Sequence, residues 1–192
     1  MKFIYRRLLQ MECVEPIRDK KKIEAMKKYL KRTNLRDYLL FVLGINSGLR
    51  ISDLLSLRVE TVHHADRVAI RERKTGKTKD FPLRLACKTA IQEYIKQSGL
   101  TTGPLFPSRK GEGALGRVQA YRILSESAKA IGINEASGTH TLRKTFEYHA
   151  YKQGVDVTRI QKLLNHSCPS ETLRYIGITK DELDDIYFKL DL

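Results

Sequence analysis

Tryptophan is absent from this chain of 192 residues, and cysteine, methionine and proline are scarce. The three cysteines, Cys13, Cys87 and Cys168, are odd in number and far apart, which is typical of a reduced compartment rather than of a disulfide framework. No apolar run approaches the roughly 18 residues of a transmembrane helix, and the N-terminus is too charged for a signal peptide. We therefore expect a cytoplasmic protein with no membrane partner.

Acidic side chains are also in short supply. The chain has 22 Asp and Glu against 36 Lys and Arg, which gives a formal net charge of +14. Such an excess favours a polyanionic partner, because basic side chains release counterions when they bind phosphates. Nucleic acid is the partner that this charge indicates. An anionic membrane surface is the weaker competitor, and a well-solvated basic surface is the alternative that needs no partner.

Clusters of metal-ligating side chains are lacking as well. Histidine and cysteine lie close together at His63-His64 and at His166-Ser-Cys168. Neither pair completes a four-ligand set with zinc-like spacing. We therefore predict no metal site and no cofactor.

Apolar residues recur at helical spacing along most of the chain, which predicts a mainly helical domain. Helices are expected over residues 20–31, 35–46, 85–96 and 117–131, with a short helix restarting at Ser52 or Asp53. Residues 67–71 and 78–83 instead alternate between apolar and polar, as two strands joined by a turn at 74–77 would. The predicted fold class is mainly α with a small antiparallel β-sheet (α+β).

The stretch that begins at His140 and is stopped by Gly154 is predicted to be a helix that carries two functional side chains. Thr139 is expected to be its N-cap, which places His140 and Arg143 one turn apart on the same face. The opposite face is apolar and consists of Leu142, Phe146 and Ala150. This helix therefore presents an imidazole and a guanidinium on the side away from the core.

A second helix is expected to follow at once, because Gly154 ends the first and Asp156 can cap the next. The residues expected to point inward from it are Ile160, Leu163 and Leu164. His166 lies just beyond its end, and Tyr175 follows nine residues later on a short turn. Two imidazoles, an arginine and a tyrosine on consecutive rigid elements form a layout suited to a phosphate.

The types and the order of six residues resemble the pattern found in the catalytic domain of the tyrosine recombinase (phage integrase) family. The six residues are Arg50, Lys74, His140, Arg143, His166 and Tyr175. Arg50 stands in Gly48-Leu-Arg50-Ile-Ser-Asp53, and Asp53 is a plausible orienting partner for it. The resemblance covers about residues 15–178 and implies the fold of that domain. It further implies an enzyme that cleaves and rejoins double-stranded DNA in integration and recombination, without a metal.

The residue types fit phosphoryl transfer. Arg50 and Arg143 are permanently charged, and each guanidinium can donate two hydrogen bonds to a phosphate. Tyr175 is the candidate nucleophile, which nearby cations are expected to activate. His140 and His166 can hydrogen-bond the phosphate or move the proton of the nucleophile. The resemblance implies that Lys74 protonates the departing 5′ oxygen and that the intermediate is a 3′-phosphotyrosine. For each of these side chains, considered without the others, the alternative to a catalytic role is an ordinary structural or surface role.

The remaining expectations concern the DNA surface and the ends of the chain. Basic residues predicted to contact DNA are Lys77, Arg109, Lys110, Lys144 and Arg174. Residues 1–14 form a tail, too short for the core-binding domain that such integrases usually carry, and residues 179–192 are predicted to form an amphipathic helix. That helix docks on a neighbour in a tetramer on synapsed DNA, or packs on its own domain.

Two rival functions remain open. A non-catalytic DNA-binding relative would share the charge and the fold but would form no covalent adduct with DNA. An enzyme like the type IB topoisomerases would use the same tyrosine, arginines and histidine to relax supercoils without a specific site.

Overall fold

A computed structural model gives a mostly helical molecule with a single hairpin among the residues it describes, which are 14–109, 111, 113–133, 138–177, 184 and 187–190. The elements, in chain order, are α1 (Lys20–Thr33), α2 (Leu35–Ser47), α3 (Ile51–Leu54), α4 (Val59–Val62), β1 (Arg67–Arg71), β2 (Thr78–Pro82), α5 (Leu85–Ser98), α6 (Arg117–Ala130), α7 (Thr139–Lys152), α8 (Val157–Leu164) and α9 (Pro169–Ile176). The predicted fold class is confirmed.

Helix α2 is the centre of the domain. Its sequence is almost continuously apolar, so it is buried on most sides and packs against α1, α5 and α7. The amphipathic α1 begins after Asp19, whose carboxylate accepts a hydrogen bond from the Lys21 amide, and it turns its apolar stripe towards α2. The buried residues of that stripe are Ile23, Met26 and Leu30.

Two glycines let α7 and α8 approach α2 closely. A Cβ atom at Gly44 would lie 2.4 Å from Cδ1 of Leu142, so only hydrogen fits at that crossing. Gly48 ends α2 with a φ of +60°, and a Cβ there would lie 2.7 Å from Phe146 and 2.8 Å from Leu164. The C-terminal end of α2, from which Arg50 follows, is therefore held directly against α7 and α8.

The hairpin forms as predicted, with Val68 opposite Phe81 in an antiparallel register. Burial alternates along β2, so that Lys79 and Phe81 both point inward. The turn after β1 is closed by main-chain hydrogen bonds between Glu72 and Lys77 and between Gly76 and Glu72. Lys74 lies in this turn.

The C-terminal helices differ from the predictions in three details, the first of which is that Tyr175, expected on a short turn, lies on helix α9. Helix α7 begins at Thr139 itself, so the prediction of Thr139 as N-cap is wrong; Gly138 precedes the helix, and its amide donates to the Thr141 hydroxyl. Asp156 caps α8 as predicted, and Ile160 and Leu164 are buried one turn apart. Leu163, by contrast, is 50% exposed, because it lies about 100° round the helix from Leu164.

The two ends of the chain fall mostly outside the described residues. These include residues 1–13 of the predicted tail and residues 179–183, 185–186 and 191–192 of the predicted terminal helix. Tyr187, Phe188 and Leu190 are described and expose their side chains. Within the described part of the chain, no helix has both the length and the apolar composition needed to cross a membrane.

Candidate active site

Arg143 lies on α7 with its side chain almost completely buried and its guanidinium fixed by the main chain. Nη1 donates to the carbonyl of Gly48 at 2.8 Å, and Nη2 donates to the carbonyl of Leu164 at 2.7 Å. Nε lies 3.3 Å from the carboxylate of Glu147, one turn further along the same helix. Each terminal nitrogen keeps a second N–H, so the fork remains able to bind an anion in a fixed orientation.

Arg50 is oriented by a residue of the hairpin. Its Nη1 lies 2.9 Å from Oε1 of the buried Glu72, and the two form an ion pair. The partner expected from the sequence was Asp53, but the carboxylate of Asp53 instead accepts a hydrogen bond from the main-chain amide of Arg73 at 2.9 Å. Asp53 is fully buried, and its role is to join the helix after Arg50 to the hairpin.

His166 follows α8 at the base of the site. The chain turns there through Asn165, which adopts the left-handed conformation with a φ of 54°. The Nδ1 atom of His166 lies 2.9 Å from the hydroxyl of Thr172, and Nε2 lies 3.6 Å from Glu147. Burial and the charge of Arg143 lower the pKa of His166 to about 4, so the ring is neutral at physiological pH.

Tyr175 lies on α9 beside these groups. Its ring centroid is 5.2 Å from that of His166, and the ammonium of Lys144 lies 5.5 Å from the same tyrosine ring. Activation of the phenol by cations was expected. In the free protein burial raises the pKa of Tyr175, and Arg143 and Arg50 oppose this rise without overcoming it. The phenol is therefore protonated until a base removes the proton.

His140 and Lys74 lie at the open side of the site. His140 is exposed at the start of α7, and Lys74 is exposed in the hairpin turn. Desolvation, and then the charges of Lys144, Arg143 and Lys74, lower the pKa of His140. The ammonium of Lys74 therefore lies within electrostatic range of the start of α7. Contacts join Arg143 to His166 through Glu147 and His166 to Tyr175, and the charges of Arg50 and Lys74 act on residues of this group.

Three buried charged residues of the site were not identified from the sequence. Glu72 pairs with Arg50, and Glu147 lies between Arg143 and His166 with no hydrogen bond to either carboxylate oxygen among the described residues. Lys79 is 5% exposed, and its ammonium donates to the Gly48 carbonyl at 3.4 Å. Burial, reinforced by Arg143, lowers the pKa of Lys79 to about 8.

A signal for two of these residues was present in the sequence. Glu147 follows Arg143 at the i+4 spacing of a helical ion pair. Lys79 shares the face of β2 with the apolar Phe81, and that face is buried. No local pattern identifies Glu72, since its partner lies 22 positions earlier in the chain.

The residues predicted to contact DNA are in different environments. Lys77 and Arg109 are exposed, as a surface contact requires. Lys144 is 6% exposed and belongs with Tyr175 inside the site. Lys110 and the side chain of Arg174 lie outside what the structure describes. Among the described residues no group of three or more histidine, cysteine or acidic side chains could hold a metal ion.

Comparison with known proteins gives a consistent family. The model of the phage integrase family matches residues 18–182. The probable integrase/recombinase YoeC of Bacillus subtilis is 47% identical over 171 residues, which cover 89% of this chain and 93% of YoeC. The tyrosine recombinase XerC of Pelobacter propionicus is 33% identical, over 81% of this chain and 52% of its own length.

Solved structures show the same fold. A crystal structure of XerA recombinase superposes with a TM-score of 0.77 at 19% identity, covering 94% of this chain and 64% of XerA. The XerH site-specific recombinase, bound to a palindromic difH substrate in a post-cleavage complex, gives a TM-score of 0.74 at 18% identity, covering 94% of this chain and 54% of XerH. The chain thus spans about half to two thirds of these Xer proteins.

Proposed function

The chain belongs to the phage integrase family, and from that premise we propose that it is a tyrosine recombinase that cuts and rejoins DNA at a specific site. The observation that carries the proposal is the pair Arg50 and Arg143. Both guanidiniums are held by protein groups, and both lie close enough to Tyr175 to act on the pKa of its phenol. Two fixed forks beside a phenol can hold a phosphodiester for attack.

In the proposed reaction the phenol oxygen of Tyr175 forms a bond to phosphorus while the bond from phosphorus to the 5′ oxygen breaks. Lys74 supplies the proton that the departing 5′ oxygen needs. The phenol proton passes to a neutral imidazole, and His140 is the accessible candidate, since both ring nitrogens of His166 face protein groups. A 5′ hydroxyl of another strand reverses the attack, frees Tyr175 and reseals the DNA, so no energy source is consumed.

Double-stranded DNA is the proposed substrate. The net charge of +14 supports a polyanionic partner, and a relative of the same fold was solved on its DNA substrate. We also propose that four copies assemble on two synapsed duplexes through residues 179–192. Removal of those residues should then abolish strand exchange and leave the cleavage of a single site intact, as measured on one duplex and on paired duplexes.

The test of the reaction is covalent trapping. The protein and its Tyr175→Phe variant are incubated with nicked duplexes, from which the cleaved fragment diffuses away, and adducts are detected after denaturation. A DNA adduct formed by the wild type and lost in the variant supports the proposal. Salt-sensitive binding with no adduct on any duplex refutes it and favours the non-catalytic DNA-binding relative. Relaxation of supercoiled plasmid without a preferred site favours the topoisomerase-like enzyme.

A further inference from the structure

Glu72 occupies an unusual place among the buried carboxylates, because its contacts reach three separate segments of the site. It lies between β1 and the Lys74 turn, and its side chain is fully buried. Oε1 lies 2.9 Å from Nη1 of Arg50. Oε2 accepts a hydrogen bond from the hydroxyl of Thr75 at 2.7 Å and another from the side-chain amide of Asn165 at 3.2 Å.

Each of these contacts adjoins a candidate catalytic residue. Arg50 is itself one, Thr75 is next to Lys74 in the turn, and Asn165 immediately precedes His166. We propose that Glu72 is a positioning residue that holds Arg50, the Lys74 turn and the His166 turn at fixed distances from one another. This inference rests on the proposed recombinase function, since it assigns Glu72 a part in the same reaction.

The segment that contains Arg50 and the hairpin are joined by two carboxylates, one from each segment. Asp53 follows Arg50 and accepts a hydrogen bond from the Arg73 amide, while Glu72 belongs to the hairpin and pairs with Arg50. Displacement of the turn would therefore break contacts of both carboxylates at once. Burial acts to raise the pKa of Glu72, but the Thr75 hydrogen bond and the Arg50 charge outweigh it and hold that pKa below its usual value. The carboxylate is thus charged when it pairs with Arg50.

The three segments are far apart in sequence and come together at this carboxylate. A side chain that served stability alone would not need to touch the neighbours of three reacting groups. An error of about 1 Å in such a group can cost on the order of 100-fold in rate. Loss of the Glu72 charge should therefore lower cleavage by about this factor and leave DNA affinity nearly unchanged.

The first experiment compares Glu72→Gln with Asp80→Asn. Both variants remove one negative charge from the hairpin, but Asp80 is exposed and pairs with Arg67 at the surface. Single-turnover adduct formation is measured with saturating DNA, well below the melting temperature of each variant. The expected result is a loss of about 100-fold for Glu72→Gln and less than threefold for Asp80→Asn. Equal rates for Glu72→Gln and the wild type would overturn the positioning role.

A second substrate identifies which contact matters for the rate. Sulfur in place of the bridging 5′ oxygen leaves as a thiolate, which needs no proton, so it restores cleavage where only the Lys74 turn is displaced. Recovery of Glu72→Gln on this substrate assigns its effect to the turn, and failure to recover assigns it to Arg50 or the His166 turn. A variant that was merely destabilised would cleave both substrates at the wild-type rate below its melting temperature, which would refute the role.

Two further variants keep the inference testable if Glu72→Gln does not fold. Thr75→Val removes the hydrogen bond to the turn, and Asn165→Gly removes the amide while allowing the positive φ. Wild-type rates for both folded variants would refute the positioning of the two turns. If the wild type itself forms no adduct, the proposed function fails and the role of Glu72 fails with it; equal adduct from the wild type and Glu72→Gln refutes only the latter.

Discussion

Substitution of Glu147 by glutamine should make the protein more stable at high pH and should change how its stability depends on pH. The carboxylate is fully buried beside Arg143 and His166, and neither oxygen has a hydrogen-bond partner in the described part of the chain. Burial raises the pKa of Glu147 from 4.5 to about 8, against the opposing charges of Arg143 and Lys144. Glutamine has nearly the same shape and stays neutral at every pH.

The sign follows from proton binding. Between pH 4.5 and 8 the unfolded chain releases the proton of this carboxyl and the folded protein keeps it, so stability falls as pH rises through that window. At about 1.36 kcal/mol per pKa unit, the full shift is worth about 5 kcal/mol above pH 8. The Glu147→Gln variant should therefore exceed the wild type by several kcal/mol at pH 8.5 and by less at pH 6.5.

Urea denaturation followed by circular dichroism, at half-unit steps from pH 6.5 to 9, measures this difference. His166 titrates in the opposite sense: its pKa is lowered to about 4, so its contribution is present above pH 6.5 and is lost as pH falls towards 4. Because His166 lies 3.6 Å from Glu147, the substitution also alters this contribution, so the comparison is made above pH 6.5, where His166 is neutral in both folded and unfolded chains. A stability difference that does not change with pH would refute the reasoning, since it would mean that Glu147 is ionised in the folded protein throughout.

Three other predictions concern the backbone, the leaving group and the DNA contacts. Gly48→Ala should lower the free energy of unfolding by about 1–3 kcal/mol, because φ is +60° and the new methyl meets Phe146 and Leu164; urea denaturation at pH 7 measures this. Lys74→Ala should slow adduct formation by about 10²- to 10⁴-fold on ordinary DNA and much less on DNA with a bridging 5′ sulfur. Lys77→Ala should leave the rate of cleavage at saturating DNA unchanged. It should reduce the slope of log affinity against log salt concentration by the amount of about one phosphate contact, as measured by titrations at several salt concentrations. An unchanged slope would exclude such a contact.

The sequence was sufficient for the fold wherever one local pattern decides the structure. The apolar stripe of α1 and the alternation in β1 and β2 each require burial of one face, and the structure buries those faces. The start of α7 was misplaced by one residue, because Gly138 offers its amide to Thr141 and makes Thr139 the first helical residue. A capping preference is weak and yields to such a contact.

Partner choice within the site could not be predicted in the same way. Asp53 and Glu72 are both carboxylates near Arg50 in space, but sequence distance favoured Asp53, three residues away. Which carboxylate pairs with Arg50 depends on how the hairpin crosses the end of α2, and that crossing is set by tertiary packing. Lys79 was different, because its position two residues before Phe81 on β2 already places it on the inward face of the strand.

The charge of the site follows a different rule from the charge of the surface. The chain as a whole is strongly basic, which suits the long-range attraction of DNA. Inside the site, however, Arg50 pairs with Glu72 and Arg143 lies beside Glu147. Of the two, Glu72 is ionised and Glu147, whose pKa is raised to about 8, is mostly protonated at neutral pH.

The pairs fix the direction of each guanidinium before the substrate arrives, and catalysis by electrostatic preorganisation depends on that direction. Because the surface charges are untouched by a change at Glu72, a neutral substitution there should alter the rate of cleavage far more than the affinity for DNA. Substitution of exposed lysines by neutral residues should instead alter the affinity for DNA and its salt dependence far more than the rate of cleavage. A single set of binding isotherms and single-turnover rates across both groups of variants would separate the two kinds of charge.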